Sequence, residues 1–328
     1  MPARSVLAAV VSVASVLSAA TPAHATFPGG NGEIAYLRAG YSGFDSYSLR
    51  TRTSDGAPGR VLWPAGEPVG VGRDLAFAWE AEWSPDGTTV AMTALGDTLG
   101  DDRLLIGDPE TGDREVVFRI DELNDHDFFA SIAFSPTGDR LLFCAPNLSS
   151  PSNEAHLYVI DVDGSDVTPL SERPACYGDW SVSGAIVAAA GEDVDRIVTM
   201  NADGTGRQIV VPPRRRSSRY AVGGSPSWSP DGTRFVYSLR VGAEQQFDLF
   251  SVAADGSDSE RLTRTLRRDE VLPLYSPDGS EVAYTRSREF QRHQSDLFVT
   301  ALDGSDIRRL TESPRADEYI WSWRAVAP

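Results

Sequence analysis

WSPDGTRFVYSLRVGAEQQFDLFSVAADGSDSERLT, residues 228–263, holds in one stretch the pattern on which the fold turns. An inner strand ends at Trp228, and Ser229-Pro230-Asp231-Gly232 then turns the chain, proline fixing φ and glycine accepting a positive one. Phe235-Val236-Tyr237 and Asp248-Leu249-Phe250-Ser251-Val252 carry the β-branched and aromatic residues of strands. Asp255-Gly256 turns again into a short outer strand ending at Leu262-Thr263. The stretch predicts four antiparallel strands. A lone sheet of this kind would expose apolar side chains on both faces, so it needs neighbouring sheets.

Working outward, the same pattern recurs. Trp83-Ser84-Pro85-Asp86-Gly87, Phe134-Ser135-Pro136-Thr137-Gly138, Trp180-Ser181-Val182-Ser183-Gly184 and Tyr275-Ser276-Pro277-Asp278-Gly279 all begin with an aromatic residue and serine, and with Trp228 they are spaced 51, 46, 48 and 47 residues apart. A second register runs in step. Seven residues before the turn glycines Gly56, Gly112, Gly164, Gly204, Gly256 and Gly304 stand Leu49, Leu105, Leu157, Ile197, Leu249 and Leu297; six residues after them stand Leu62, Phe118, Leu170, Val210, Leu262 and Leu310. A chain only 41% hydrophobic does not reach twelve apolar positions in one register by accident. The period suits one propeller blade per repeat.

The ends complete the count. Asn31-Gly32-Glu33-Ile34-Ala35-Tyr36 matches the second-strand segment Gly279 to Tyr284, so the first repeat lacks its inner strand. Tyr319-Ile320-Trp321-Ser322-Trp323 supplies an aromatic-Ser pair 46 residues after Tyr275. The expectation is an all-β, six-bladed β-propeller with four antiparallel strands per blade, closed by the C-terminal strand joining the N-terminal blade. Closure removes the free edges that invite aggregation.

This repeat resembles that of the TolB-like propellers, which reads aromatic-Ser-Pro-Asp-Gly, a strand, Asp-Leu-Phe/Tyr, Asp-Gly-Ser and Leu-Thr. The match is close in Trp228 to Thr263 and in Tyr275 to Thr311, good in Phe134 to Ser171, and looser elsewhere. The resemblance implies a six-bladed ring with a central channel, used mainly for protein or peptide contacts in the periplasm or outside the cell. TolB itself carries a further N-terminal domain, for which Thr26 to Asn31 leaves no room, so a role in the Tol-Pal envelope system is not expected. Related propellers precede prolyl oligopeptidase-type hydrolase domains, and no such domain follows Pro328.

Residues 1–25 read as a signal peptide: Arg4, an apolar stretch from Val6 to about Ala20, and Ala23-His24-Ala25. No later stretch approaches the ~18 apolar residues of a spanning helix. Residues 26–328 are thus expected to form one extracytoplasmic propeller, secreted or periplasmic, acting as a monomer. The net charge of −17 makes nucleic acid and anionic membranes poor partners. Arg214-Arg215-Arg216 with Arg219, and Arg267-Arg268, read as solvated loop faces.

The sequence shows no Gly-x-Ser-x-Gly elbow, no phosphate-binding Gly-rich loop ending in Lys-Ser/Thr and no His-Glu-x-x-His pair. His156 occupies a strand position filled elsewhere by Ser48, Leu104, Arg196, Asp248 and Asp296. Asn124-Asp125-His126-Asp127 offers oxygen and nitrogen donors, yet no ligand spacing repeats around it, so neither metal nor cofactor is expected. The eight Asp-Gly doublets follow the blade period and read as turns. More telling are the charges just before each inner strand: Glu80 and Glu82, Asp127, Asp179, Arg219, Asp269 and Glu270, and Asp317 and Glu318. In a propeller these segments cross one face near the channel mouth, so they are the expected ligand-binding surface. Cys144 and Cys176 fall at neighbouring ends of adjacent blades and are expected to form a disulfide. The functional expectation is a non-catalytic binding module for a protein, peptide or envelope glycan. The alternative is a secreted lyase-type carbohydrate-active enzyme, since some TolB-like rings cleave uronic-acid polymers and separate blades can assemble a site.

Overall fold

Each Ser-Pro-Asp-Gly marker makes the turn its residues dictate. At Trp228 the Ser229 hydroxyl donates to Asp231 Oδ1 at 2.6 Å and accepts from Arg234 N at 3.0 Å, while Asp231 Oδ1 also accepts from Thr233 N. The Ser84/Asp86 and Ser276/Asp278 copies repeat this network. In the Phe134 copy, where threonine stands third, Asp139 takes the acid's place and accepts from Ser135 Oγ at 2.9 Å. Short polar side chains here satisfy backbone donors that the reversing chain leaves free.

The computed structural model describes residues 27–42, 46–64, 77–96, 100–123, 126–147, 154–170, 173–191, 194–213, 225–241, 246–288 and 294–327. The signal segment therefore lies outside the described residues. The first blade holds β1 (Gly30–Gly40), β2 (Tyr47–Arg52) and β3 (Pro58–Trp63). The second holds β4 (Phe77–Trp83), β5 (Val90–Leu95), β6 (Arg103–Gly107) and β7 (Arg114–Arg119). The third comprises β8 (Ser131–Phe134), β9 (Arg140–Pro146), β10 (Ala155–Asp161) and β11 (Thr168–Pro169). The fourth comprises β12 (Ala175–Trp180), β13 (Ile186–Ala190), β14 (Arg196–Met200) and β15 (Gln208–Val211). The fifth comprises β16 (Ser227–Trp228), β17 (Arg234–Val241), β18 (Gln246–Ala253) and β19 (Glu260–Arg261). The sixth comprises β20 (Arg268–Tyr275), β21 (Glu281–Arg288), β22 (Asp296–Ala301) and β23 (Arg308–Arg309). β24 (Ala316–Val326) returns to the first blade, giving six four-stranded antiparallel sheets.

The strands β4, β8, β12, β16, β20 and β24 touch one another in a closed circle and are the inner strands. β24 pairs with β1 along Gly30↔Val326, Ile34↔Trp323, Tyr36↔Ile320 and Gly40↔Ala316. The closure predicted between the chain's two ends is present, with one shift of register. Ile34 is the counterpart of Val282, which faces Tyr275, so the marker aromatic of the first blade is Trp323, two residues beyond Trp321. A bulge at Trp321, between Ala35 and Tyr36 on the partner strand, absorbs the difference.

Packing between blades explains the residue types. Trp83, Trp180, Trp228 and Trp323 are 1–2% exposed, and Phe134 and Tyr275 are equally enclosed. The six apolar residues before the turn glycines are all buried, and five of the six after them are as well; in the first blade a register shift in β3 makes Trp63 the buried residue and leaves Leu62 half-buried. The Asp-Gly glycines serve two purposes. Gly256 has φ +87°, and a Cβ there would lie 2.5 Å from the Val210 carbonyl oxygen of the preceding blade; Gly304 meets the Leu262 carbonyl in the same way. Only a residue without a side chain turns the chain and lets the blades approach. The recurring Leu-Thr also has a reason: Thr263 Oγ1 and Thr311 Oγ1 accept from Leu249 N and Leu297 N, both at 2.9 Å.

Cys144 in β9 and Cys176 in β12 are joined by a disulfide, with Cα atoms 5.2 Å apart, which ties the third blade to the fourth. Loop closure over the 32-residue separation is worth about 3–4 kcal/mol. Denatured, unreduced protein should therefore show no titratable thiol, and reduction should lower stability by that amount; two reactive thiols would refute the bridge. Trp323→Ala should cost about 3–5 kcal/mol in denaturant unfolding. A cost equal to that of an exposed site would mean that β24 does not close the ring.

Candidate functional site

In antiparallel blades the Ser-Pro-Asp-Gly and Asp-Gly turns share one end of the ring, and the crossovers between blades share the other. Most of the sequence candidates belong to the crossover end, while Glu82 and Asp179 stand one residue before Trp83 and Trp180, next to the marker turns. They lie further into the fold than expected: Glu80 and Glu82 sit within β4, Asp179 within β12, Glu270 within β20 and Glu318 within β24, all 0–1% exposed. The inner strands run longer than the apolar pattern suggests because bulges in β4, β12, β20 and β24 carry the pairing toward the crossovers. Asp127 is half-buried, and Arg219 lies outside the described residues.

Several of the acids are held by a neighbouring strand or crossover. Asp179 Oδ2 accepts from Trp228 N of the next inner strand at 2.6 Å. Glu270 Oε1 accepts from Arg286 Nη2 at 2.7 Å and Thr265 Oγ1 at 3.1 Å. Glu318 Oε1 accepts from Ser313 Oγ at 2.7 Å, with Arg38 Nε at 3.9 Å. Asp269 and Asp317 are clips: Asp269 Oδ1 accepts from Phe247 N at 3.0 Å, and Asp317 Oδ1 from Gln294 N and Ser295 N at 2.7 and 2.9 Å, each reaching the third strand of the preceding blade. Glu80 is the outlier. Neither of its carboxylate oxygens has a hydrogen-bond partner, nor do Thr93 Oγ1 opposite it and Ser131 Oγ on the next inner strand.

Electrostatics follow burial. Desolvation pushes the Glu80 carboxyl well above the usual range; the nearby Ile132 amide opposes this only weakly, being outside good hydrogen-bond geometry. Burial raises Asp179 likewise, against the Trp228 and Trp180 amides. Asp102, which sequence reasoning missed, is raised to about 7 by burial, although Gly96 N and Phe129 N donate to its two oxygens. Its one signal was position: it stands three residues before Leu105, as the polar Gln246 and Gln294 stand before Leu249 and Leu297.

His126 lies beside Tyr158, whose hydroxyl is 2.9 Å from His126 Nε2, rather than within a ligand cluster. Among the described residues no three His, Cys, Asp or Glu side chains gather as a metal site, and no helix is long and apolar enough to cross a membrane. A shallow groove of about 580 Å³, lined by Thr88, Ile106, Asp108 and Arg114 among others, lies toward the turn end, away from these acids.

The ring, its blade order and its closure can now be set beside known proteins. An uncharacterized protein of Agrobacterium fabrum is 36% identical over 250 residues, covering 74% of this chain and 72% of that one. TolB from Acinetobacter baumannii superposes with a TM-score of 0.67 at 19% identity, covering 90% of this chain and 67% of that one. The chain has the six-bladed propeller fold of TolB. Oligogalacturonate lyase from Vibrio parahaemolyticus is also similar to this TolB-like ring, with a TM-score of 0.54 at 11% identity over 85% of this chain and 79% of that one. No family model matches the sequence.

The pH response has two limbs. Asp86, Asp163, Asp231, Asp255 and Asp303 are lowered, first by hydrogen bonds from their serine neighbours, so their contribution is present above about pH 4 and lost as pH falls through their folded values. Glu80, Asp102 and Asp179 are raised, so the folded state holds protons that the unfolded chain releases above about pH 4, and stability declines as pH rises. Thermal midpoints should peak near pH 4–5 and fall on both sides. Asp179→Asn, which keeps an acceptor for Trp228 N, should flatten the upper limb; an unchanged profile would show Asp179 to be ionised in the fold.

Proposed function

We propose that this TolB-like propeller is a non-catalytic binding module that works outside the cytoplasm and takes a protein or peptide at the crossover end of the ring. One observation carries the reading: the acids that a catalytic site would draw on are enclosed at separate seams, where Asp179, Asp269, Glu270, Asp317 and Glu318 bind neighbouring strands or crossovers. They stiffen the rim instead of meeting at one point. The crossover end also presents Leu266, 82% exposed, on a segment fixed by both ends of the Gln246 amide, whose Oε1 accepts from Arg267 N at 3.1 Å and whose Nε2 donates to the Thr265 carbonyl. A rigid apolar tip held out from a scaffold is suited to docking. The apolar signal segment supports the extracytoplasmic setting and the closed ring supports a monomer; an envelope glycan is the other ligand class consistent with this rim.

The lyase reading draws on the likeness in fold to oligogalacturonate lyase and on the His126–Tyr158 contact, a pairing of proton-transfer type. Two measurements separate the readings. Immobilised mature protein should retain a partner from cell-envelope extract in a saturable way; Leu266→Asp should lose it, and Leu302→Asp, on a turn at the opposite end, should keep it. Oligogalacturonate incubated with the protein should yield no unsaturated product. Turnover abolished by Tyr158→Phe would establish the enzyme instead, and loss of the partner in Leu302→Asp alone would move the surface to the turn end.

A further inference from the structure

The sixth and first blades carry the same polar arrangement in two versions. In the sixth blade Glu270, Arg286 and Asp296 lie side by side across β20, β21 and β22, with Tyr284 and Phe298 in the next row of the same face. In the first blade the equivalent places across β24, β1 and β2 are taken by Glu318, Arg38 and Ser48, with Tyr36 and Arg50 in the next row. Flanking groups are repeated too: Thr265 donates to Glu270 as Ser313 does to Glu318, and Arg261 pairs with Asp248 as Arg309 does with Asp296.

The sixth-blade copy is closed. Arg286 gives Nε and Nη2 to Glu270, shares Nη2 with the Tyr284 hydroxyl, lies 4.4 Å over the Phe298 ring and has a side chain only 13% exposed. Glu270 is the acid that holds this guanidinium, while Asp296 beside it pairs with Arg309 and accepts from Ser313 N. The first-blade copy is open: Ser48 stands in the place of Asp296, Arg50 replaces the covering phenylalanine, and one carboxylate faces two guanidiniums. Arg38 stands 3.9 Å from Glu318 with its side chain 35% exposed. Ser48, buried at 2%, accepts from Arg50 Nε at 2.9 Å and so draws that guanidinium toward the Arg38 row. Among the described residues no carboxylate lies within ion-pair distance of Arg50. Glu318 Oε2 is buried without a hydrogen-bond partner.

We propose that Arg38 and Arg50 form a carboxylate-binding site, with Glu318 accepting a hydrogen bond from a donor beside that carboxylate, and that its ligand is the C-terminal end of a peptide. The inference rests on the binding-module reading and names the ligand end that this rim grips. Diagonal neighbours on adjacent strands are close enough for both guanidiniums to reach one anion. Glu318 repels a dianion such as phosphate and tolerates a monoanion that brings a neutral donor. A polypeptide end supplies both in fixed geometry, its planar carboxylate two bonds from its last amide N–H. Tyr36, the ring in the adjoining row, is only 3% exposed, so these rows offer polar contacts and no flat apolar face for a sugar ring.

The test is calorimetric titration of the mature protein with N-acetyl-alanyl-alanine as the free acid, with the same dipeptide as its C-terminal amide, and with galacturonate. The free acid should bind, the amide should not, and Arg38→Gln or Arg50→Gln should each weaken binding about tenfold or more, Arg50→Gln with the thermal midpoint almost unchanged. Arg286→Gln, which opens the closed copy, should lower the midpoint by about 5 °C or more and leave dipeptide affinity as it was. Equal binding of acid and amide, no binding of the acid, wild-type affinity in Arg38→Gln, or preference for galacturonate would each overturn the proposal. If the dipeptide fails while the envelope partner is still retained, this inference falls and the binding-module reading stands.

Discussion

A four-stranded sheet with large side chains on both faces cannot stand alone in water, and that constraint organises this molecule. Every blade buries each face against a neighbour, so the arrangement is complete only when the sixth blade meets the first. The pairing of β24 with β1 performs that step, enclosing Trp323 and Ile34 in the same contact. The repeat residues follow from it: an aromatic at the end of each inner strand fills the seam, and Gly164, Gly204, Gly256 and Gly304 in the outer turns let one blade's backbone approach the last.

The same requirement drives polar groups inside. Inner strands converge toward the axis, and the acids on them leave water whatever their role. Most are compensated, across a seam by an amide for Asp179 and Asp317, and within the blade by a guanidinium for Glu270. Such contacts add little net stability over an apolar filling, yet they fix which blade edge meets which, because an acid left without its partner is costly. Glu80 lacks such a partner, and burial pushes its carboxyl well above the usual range. Where a copy of the arrangement is incomplete, as at Arg38 and Arg50, the ring has kept the strand register and gained a guanidinium that no described carboxylate pairs with.

Much of the fold was legible in the sequence because it rests on local rules repeated at a fixed period. Turn chemistry at Ser229-Pro230-Asp231-Gly232, strand composition around Leu249 and the match between Ile34 and Val282 follow from neighbours a few residues apart. The register at the closure was less legible: Trp321 and Trp323 are both aromatic and stand two residues apart, as same-side residues of a regular strand do, and only the bulge in β24, which turns them into different core clusters, shows which one takes the marker's place. In the candidate site, the sequence picked out Glu80, Asp179, Glu270 and Glu318 as one group, but not their burial, since burial depends on where the next blade lies.

By itself, then, the sequence determined the number of blades, their strand order and the joining of the two ends, because each is encoded in periodic side chains acting over one repeat or its neighbour. Tertiary structure alone decided which charges are compensated. Ion pairing and desolvation depend on distances between residues such as Arg38 and Glu318, far apart along the chain and brought together only when the ring closes.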